Sequence, residues 1–393
     1  MERIKGKSIG SQMKKKLSFA ITILFFAALT GCGNKENIKD NVQDFETTEI
    51  MDDKDASSDG ISFPARYENI IENVTFSMDI IVDADLAEEI PVIAKAQMKK
   101  VDAGQAFDLL FSNNDTYETY EYEENDEYGK KVKTGTYVSP EETTLSYGPV
   151  SSQMTYMQKT LMPYIRSAFV LDDEDERYNA DLYSKEKQLT FMDREKALQI
   201  VSNALTKMNV TFEYDYTGYA LDYATMQSQE YHEDIDGNID NAGYKEKWSV
   251  SDEGYYFCIN EIYRGLPIYH VYCEIFTDIK DANAPVQAFV SQNGIEYLDI
   301  EKIFDISEEK TGVQLLPIDA IAETVANKYA QILGSSTYEM TNAELYYYID
   351  LSSGMGVYDV KPVWIIKGME ESGEKQQAIQ VIIDAQTAKE IVP

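Results

Sequence analysis

Residues 190–208 read TFMDREKALQIVSNALTKM, and residues 317–334 read PIDAIAETVANKYAQILG. Both carry a helical period. In the first, Ala197, Val201, Ala204, Leu205 and Met208 recur at three- and four-residue spacing. Thr190 is the expected N-cap, with Asp193 three residues on as in a capping box. In the second, Pro317 opens the helix, and Ile318, Ile321, Ala322, Val325, Tyr329 and Ile332 form the inward face, with Gly334 as C-cap. The segments after each helix decide the fold class. Short alternating stretches, separated by turns, predict strands at 210–216, 254–263, 267–276 and 285–290, then at 295–298 beyond the Asn293-Gly294 turn. After the second helix, strands are expected at 340–349, 363–367 and 378–383. A helix and then an antiparallel strand run, occurring twice, predicts an α+β fold with each sheet packed by a helix. The two helix-plus-sheet units would span 189–306 and 307–393.

Upstream, residues 61–188 read as an N-terminal α+β domain. Strands are expected at 73–82 and 90–98, and a short helix at 102–111 with Ala106, Phe107, Leu110 and Phe111 inward. Residues 113–128 are acidic and tyrosine-rich, an expected exposed region. Residues 149–170 mix Met, Tyr and Leu and read as helical, and 172–176 as an acidic loop. Residues 32–60 are polar and aperiodic, a disordered acidic tether. Residues 1–31 read as a signal peptide. Lys14, Lys15 and Lys16 precede an apolar run over 17–29, shorter than the ~20 residues a bilayer span needs. The run ends in Leu29-Thr30-Gly31-Cys32, which resembles a lipobox. That resemblance implies a diacylglyceryl lipid on Cys32 and a protein held on the extracytoplasmic face of the cell membrane; two acyl chains anchor stably where one does not.

The chain has 35 basic and 69 acidic residues, a net charge of −34, and removing the basic leader leaves it more acidic still. Such a surface repels nucleic acid, which is excluded as a partner. A cationic partner, a neutral solute or divalent ions remain open. Hydrophobic content of 44% is a globular value, so a substantial core is expected. Besides Cys32 the cysteines are Cys258 and Cys273. A four-residue loop over 264–267 would set them opposite each other as a candidate disulfide, with two separate thiols as the alternative.

Residues 73–111, with Ala84-Asp85 and Ile90-Pro91-Val92, resemble an uncharacterised lipoprotein family of Gram-positive anaerobes. So do Gly254-Tyr255-Tyr256-Phe257 with Gly265-Leu266-Pro267, then Asn293-Gly294-Ile295 and Leu315-Leu316-Pro317-Ile318. The resemblance implies topology and address, and no activity. Lys361-Pro362-Val363-Trp364 and Ile383-Asp384-Ala385-Gln386-Thr387 resemble the end of PepSY and YycI-type extracytoplasmic domains, although that motif usually has Gly at the position of Ala388. Such modules pair a helix with an antiparallel sheet and act by protein contact, without catalytic residues.

The chemistry-bearing residues are sparse. His232 and His270 are the two histidines. Neither lies in a metal-spaced cluster, and HExxH is missing. Asp234, Asp236, Asn238 and Asp240 resemble half a calcium loop, a weak candidate. The glycine is Gly237, at position four rather than six, and Lys245 stands where glutamate is required. Ser184-Lys185-Glu186-Lys187, Ser291-Gln292-Asn293 and Lys310-Thr311-Gly312 match penicillin-binding motifs in order, but their context and spacing do not fit that fold. No catalytic residue and no cofactor is assigned. The 29 tyrosines suit strand surfaces, or a surface that takes sugar or peptide. The expectation is a non-enzymatic binding or regulatory lipoprotein that meets an envelope protein or a small ligand. The alternatives are a carboxylate-dependent envelope hydrolase, with two close acidic groups in a deep cleft, and a solute-binding lipoprotein.

Overall fold

The computed structural model describes residues 63–82, 93–111, 118–125, 129–148, 152–172, 176–234, 238–270, 280–310, 313–332, 336–354, 356–373 and 375–392. The signal peptide, Leu29, Thr30, Gly31, Cys32 and the tether lie outside them, as do Asp236 and Cys273.

In chain order, β1 (Arg66–Ile71), β2 (Val74–Ile81) and β3 (Ile93–Met98) precede the helical turn α1 (Ala103–Ala106). Then come β4 (Glu118–Asn125), β5 (Lys131–Val138), β6 (Thr144–Gly148), β7 (Gln153–Met157) and α2 (Met162–Ala168). Helix α3 (Arg194–Lys207) leads into β8 (Glu213–Leu221), α4 (Tyr223–Gln229), β9 (Gly254–Tyr263), β10 (Leu266–Tyr269), β11 (Val286–Ser291), β12 (Gly294–Ile300) and β13 (Phe304–Lys310). Helix α5 (Ile318–Ala330) precedes β14 (Thr337–Asp350), β15 (Tyr358–Ser372), β16 (Lys375–Asp384) and β17 (Glu390–Ile391). The fold is a strand-rich α+β one.

The strands form two sheets. In the first, β14 is central. Its one side carries β15, antiparallel, and its other side carries β2 and then β10, both parallel. Beyond β15 lie β16 and, at its other end, β3 with β13 outside it. Helix α5 covers one face. Ile318, Ile321, Ala322, Val325 and Tyr329 are buried against Phe76, Met78, Leu345 and Trp364, and each full aliphatic burial contributes about 1.5–3 kcal/mol. In the second sheet the order is β8-β9-β11-β12-β7-β6-β5-β4, antiparallel throughout. Helix α3 packs Ala197, Leu198, Val201 and Leu205 on one face against Phe257, Ala288 and Leu298. The opposite face is covered by α2, α4 and the aromatic residues Phe169, Tyr183 and Trp248.

Residues 61–188 supply β1–β3 to the first sheet and β4–β7 to the second, and Ser58–Pro393 is one compact unit. The expected helix over 149–170 is half strand. Met154 and Tyr156 are buried while their neighbours face outward, so β7 takes the first part and α2 the second. The region 113–128 contains β4, whose side chains are almost all exposed at the sheet edge, so no apolar alternation announced it. Helix α3 starts after Asp193, four residues beyond Thr190; the Gln188 side chain accepts from the Arg194 N–H there, at 2.9 Å. Helix α5 ends with Gln331 as its cap, which leaves Ile332 exposed; Gly334 lies outside the described residues.

The turn between β9 and β10 has two residues, Arg264 and Gly265, both at positive φ (49° and 78°). That is the hairpin geometry whose twist suits two strands, and glycine adopts it without strain. The expected loop over 264–267 had four. Cys258 is buried with Thr217 and Gln287 as its backbone neighbours on either side, and its candidate partner Cys273 lies outside the described residues.

Candidate functional site: a pocket where the sheets meet

Strand β10 belongs to both sheets. Leu266 and Pro267 pair with the end of β9, while Ile268 and Tyr269 pair with Tyr347 and Tyr348 of β14. A second link lies beside it. The Glu261 side chain, on β9, accepts the Phe304 N–H that opens β13, at 3.2 Å. His270 comes directly after β10, with its Nε2 3.4 Å from Glu261 Oε2 and its ring stacked on Phe304. Both side chains are buried. Burial pushes the Glu261 carboxyl above its ordinary value, and His270 pulls it back only in part.

Over this link opens a pocket of about 310 Å³. Its aromatic walls are Tyr269, Phe304 and Tyr348, and its aliphatic rim is Ile349, Leu351, Ile391 and Val392. Its lining also includes His270, Lys302, Asp350 and Ser352. Lys302 lies in the short connection from β12 to β13 and makes no hydrogen bond or ion pair with any described residue. Asp350 ends β14. Its Oδ1 accepts from the Ser352 N–H at 3.0 Å and the Ser352 hydroxyl at 2.6 Å, which fixes the turn. The Tyr269 hydroxyl accepts from Gln380 Nε2 at 2.5 Å. The Tyr348 hydroxyl is held above its ordinary value by burial and then by Asp350. The set can bind a small amphipathic molecule. It holds a charge of each sign, which a purely apolar ligand would leave unmatched.

The other histidine has a different setting. His232 Nε2 is 3.0 Å from Ser167 Oγ and 3.0 Å from Glu230 Oε1. A serine, a histidine and a buried glutamate suggest nucleophilic chemistry, but the geometry opposes it. A triad needs the acid on one ring nitrogen and the serine on the other. Here both meet the same nitrogen, and the Ser167 hydroxyl donates to the Tyr164 carbonyl at 2.8 Å. Glu230 also accepts from Trp248 Nε1 and from the Lys245 N–H, each at 2.6 Å. A Cβ on Gly243 would stand 2.9 Å from the imidazole, so the ring is packed as well as bonded. This is a structural knot.

The calcium candidates behave as a turn. The Asp234 carboxylate accepts from the Asn238 N–H at 2.9 Å, Asp240 accepts from the Ala242 N–H at 2.9 Å, and Asp236 lies outside the described residues. Among the described residues no group of three His, Cys, Asp or Glu is arranged to hold a metal ion. Ser184 accepts from the N–H groups of Glu186 and Lys187, while the Lys187 side chain pairs with Asp222 at 3.2 Å and the Lys185 side chain with Asp281 at 3.9 Å, so neither ammonium attends the serine.

One acidic pair escaped the sequence reading. Tyr297, Asp299 and Glu301 alternate along one face at and just past β12. Asp299 accepts from Thr155 Oγ1 at 2.6 Å, Glu301 from Gln153 Nε2, and Arg166 stacks over Tyr297 at 5.1 Å. Burial, and then the Asp299 carboxylate, push Glu301 up to about 7. Burial raises Asp299 as well. The signal available in sequence was the alternation of Tyr297, Asp299 and Glu301 with the apolar Leu298 and Ile300. Both carboxyls are already held by side chains of β7.

The fold thus defines a strand-rich α+β protein with a small mixed-polarity pocket at a sheet junction. No family model and no curated protein matches the chain. Among solved structures, an uncharacterized protein from Eubacterium rectale is similar, with a TM-score of 0.52 at 15% identity over 84% of this chain and 94% of that one. That likeness concerns the fold alone. The C-terminal domain of Bacillus megaterium YpeB also matches, with a TM-score of 0.24 at 12% identity, over 74% of this chain and 96% of that one; at that score it carries no argument about this chain.

Proposed function

We propose that this chain is a non-enzymatic binding or regulatory lipoprotein, anchored through Cys32 on the outer face of the cell membrane, whose contact site is the junction pocket. The observation that carries the reading is Lys302, a lysine that makes no ion pair with a described residue and lines an aromatic pocket of a chain with net charge −34, its charge bearing on the adjacent Glu301 carboxyl. Acidic residues outnumber basic ones by 69 to 35 in this chain, and a lysine that makes no ion pair with a described residue at a pocket is a feature to be used by a ligand or partner. The apolar Leu351 and Val392 at the rim are 40% and 81% exposed, which suits a contact surface. We also read the two runs of helix then antiparallel strands, from α3 and from α5, as two PepSY-like units; the element order supports this.

The reading is tested in the full chain. A photo-crosslinking amino acid replaces Leu351 at the rim or, as control, Ile70 on β1, which is 72% exposed. In cells, a recurring adduct at position 351 and none at 70 is the expected result. Equal, non-recurring adducts at both positions would sink the proposed site. Metabolic labelling with an alkyne fatty acid, lost in Cys32→Ala, checks the anchor in the same strain.

A further inference from the structure

Resting on the pocket as the binding site, we propose that its ligand is a small zwitterion with an apolar body, an amino acid or dipeptide carrying both a free ammonium and a free carboxylate. Among its described lining residues the pocket has one lysine and one aspartate, carried by different elements. Lys302 comes from the β12–β13 connection and Asp350 from the end of β14. Lys302 makes no hydrogen bond or ion pair with a described residue, and its charge also bears on the adjacent Glu301 carboxyl. Asp350 spends Oδ1 on its own turn, and Oδ2 takes no hydrogen bond from a described residue. Tyr348 and Phe304, both largely buried, supply the aromatic lining.

The charge of the whole molecule selects further. At net −34, the long-range field repels an anion, although Lys302 alone would welcome one. A cation is drawn to the surface but meets Lys302 in the pocket. A zwitterion has no net charge to be steered or repelled, and it satisfies both groups at once. A neutral sugar would leave both charges desolvated without a counter-charge, and would place hydroxyls against Phe304, Ile349 and Ile391. The volume of about 310 Å³ lies at the small end of ligand pockets, which suits a molecule of this size and leaves no room for a long peptide.

The experiment is calorimetric titration of the full chain in detergent with L-phenylalanine and with the dipeptide Leu-Phe. The same dipeptide acetylated at its amine, and amidated at its carboxyl, serves as the comparison. Saturable binding of at least one free zwitterion is expected, weakened roughly tenfold or more by either block, the size of one lost charge-assisted hydrogen bond. Lys302→Met should abolish the difference between free and amidated dipeptide, and Asp350→Asn the difference between free and acetylated. Lys302 makes no hydrogen bond or ion pair with a described residue, so its replacement keeps a cooperative thermal unfolding transition, and that transition separates loss of binding from loss of fold. Blocked forms binding as tightly as the free one would overturn the proposal. So would the absence of binding up to millimolar ligand while Leu351 crosslinks recur in cells; the site would then stand with a different ligand. Absence of both would remove the site itself.

Discussion

The two histidines occupy opposite circumstances, although each sits beside a buried glutamate. At His232 the glutamate, Glu230, accepts three bonds at 2.6, 2.6 and 3.0 Å. At His270 the glutamate, Glu261, accepts one backbone bond at 3.2 Å and stands 3.4 Å from the imidazole. Burial raises Glu261 because its charged form is under-solvated there. The first arrangement has spent its bonding capacity on holding a loop to α2. In the second, Glu261 takes a single described backbone bond, and the pair underlies the pocket. A buried acid beside a histidine therefore says little about function until its bonds are counted.

The contrast is tested hardest by Glu230→Ala. It strands the Trp248 indole N–H and the Lys245 N–H without an acceptor, and should cost about 3–5 kcal/mol in urea unfolding. A cost below that of the same truncation at Glu261 would reverse the ranking of the two sites. A third buried carboxyl, Glu301, extends the contrast to pH. Its folded value of about 7 lies above the ordinary 4.5, so the proton it holds favours the folded state below pH 4.5 and that benefit is lost as pH rises towards 7. Glu301→Gln should gain on the order of 2 kcal/mol over the parent at pH 8, allowing for partial exposure, and little at pH 4. Equal stability differences at both pH values would remove the raised value. The smallest effect is expected for Glu261→Gln, within about 1 kcal/mol at pH 7, because the amide can still accept from Phe304. Since Glu261 is raised in the fold, parent stability relative to this variant should fall as pH climbs above 4.5. Chemical denaturation across pH 4 to 8 reads all three substitutions.

The period-bearing segments were legible. The inward faces of α3 and α5 come from spacing, and the strands of 254–263, 340–349 and 378–383 appear with modest changes at their ends. The junction was not legible. Its residues come from 269–270, 302–304, 348–352 and 391–392, and long-range contacts bring them together: the parallel pairing of β10 with β14, the Glu261–Phe304 link and the pairing of β17 with β16. No local pattern announces a four-residue strand shared between two sheets. His270 carries no sign of the junction in the sequence because its partner Glu261 lies across a hairpin whose turn length decides the register. The exposed strand β4 was hidden for the opposite reason: an edge without a buried face has no alternation to read.

The parallel pairing of β2 with β14 joins Val74 to Tyr338 and Ile81 to Glu344. A chain is made from its N-terminus, so β1, β2 and β3 emerge long before β13, β14 and β15 exist to receive them. A two-stranded hairpin such as β1–β2 is marginal alone, and its open edges invite foreign strands. Closure of that sheet is then an end-of-synthesis event, slow because its contacts are so distant along the chain. The most vulnerable period for this protein falls before folding, while its first strands wait for its last.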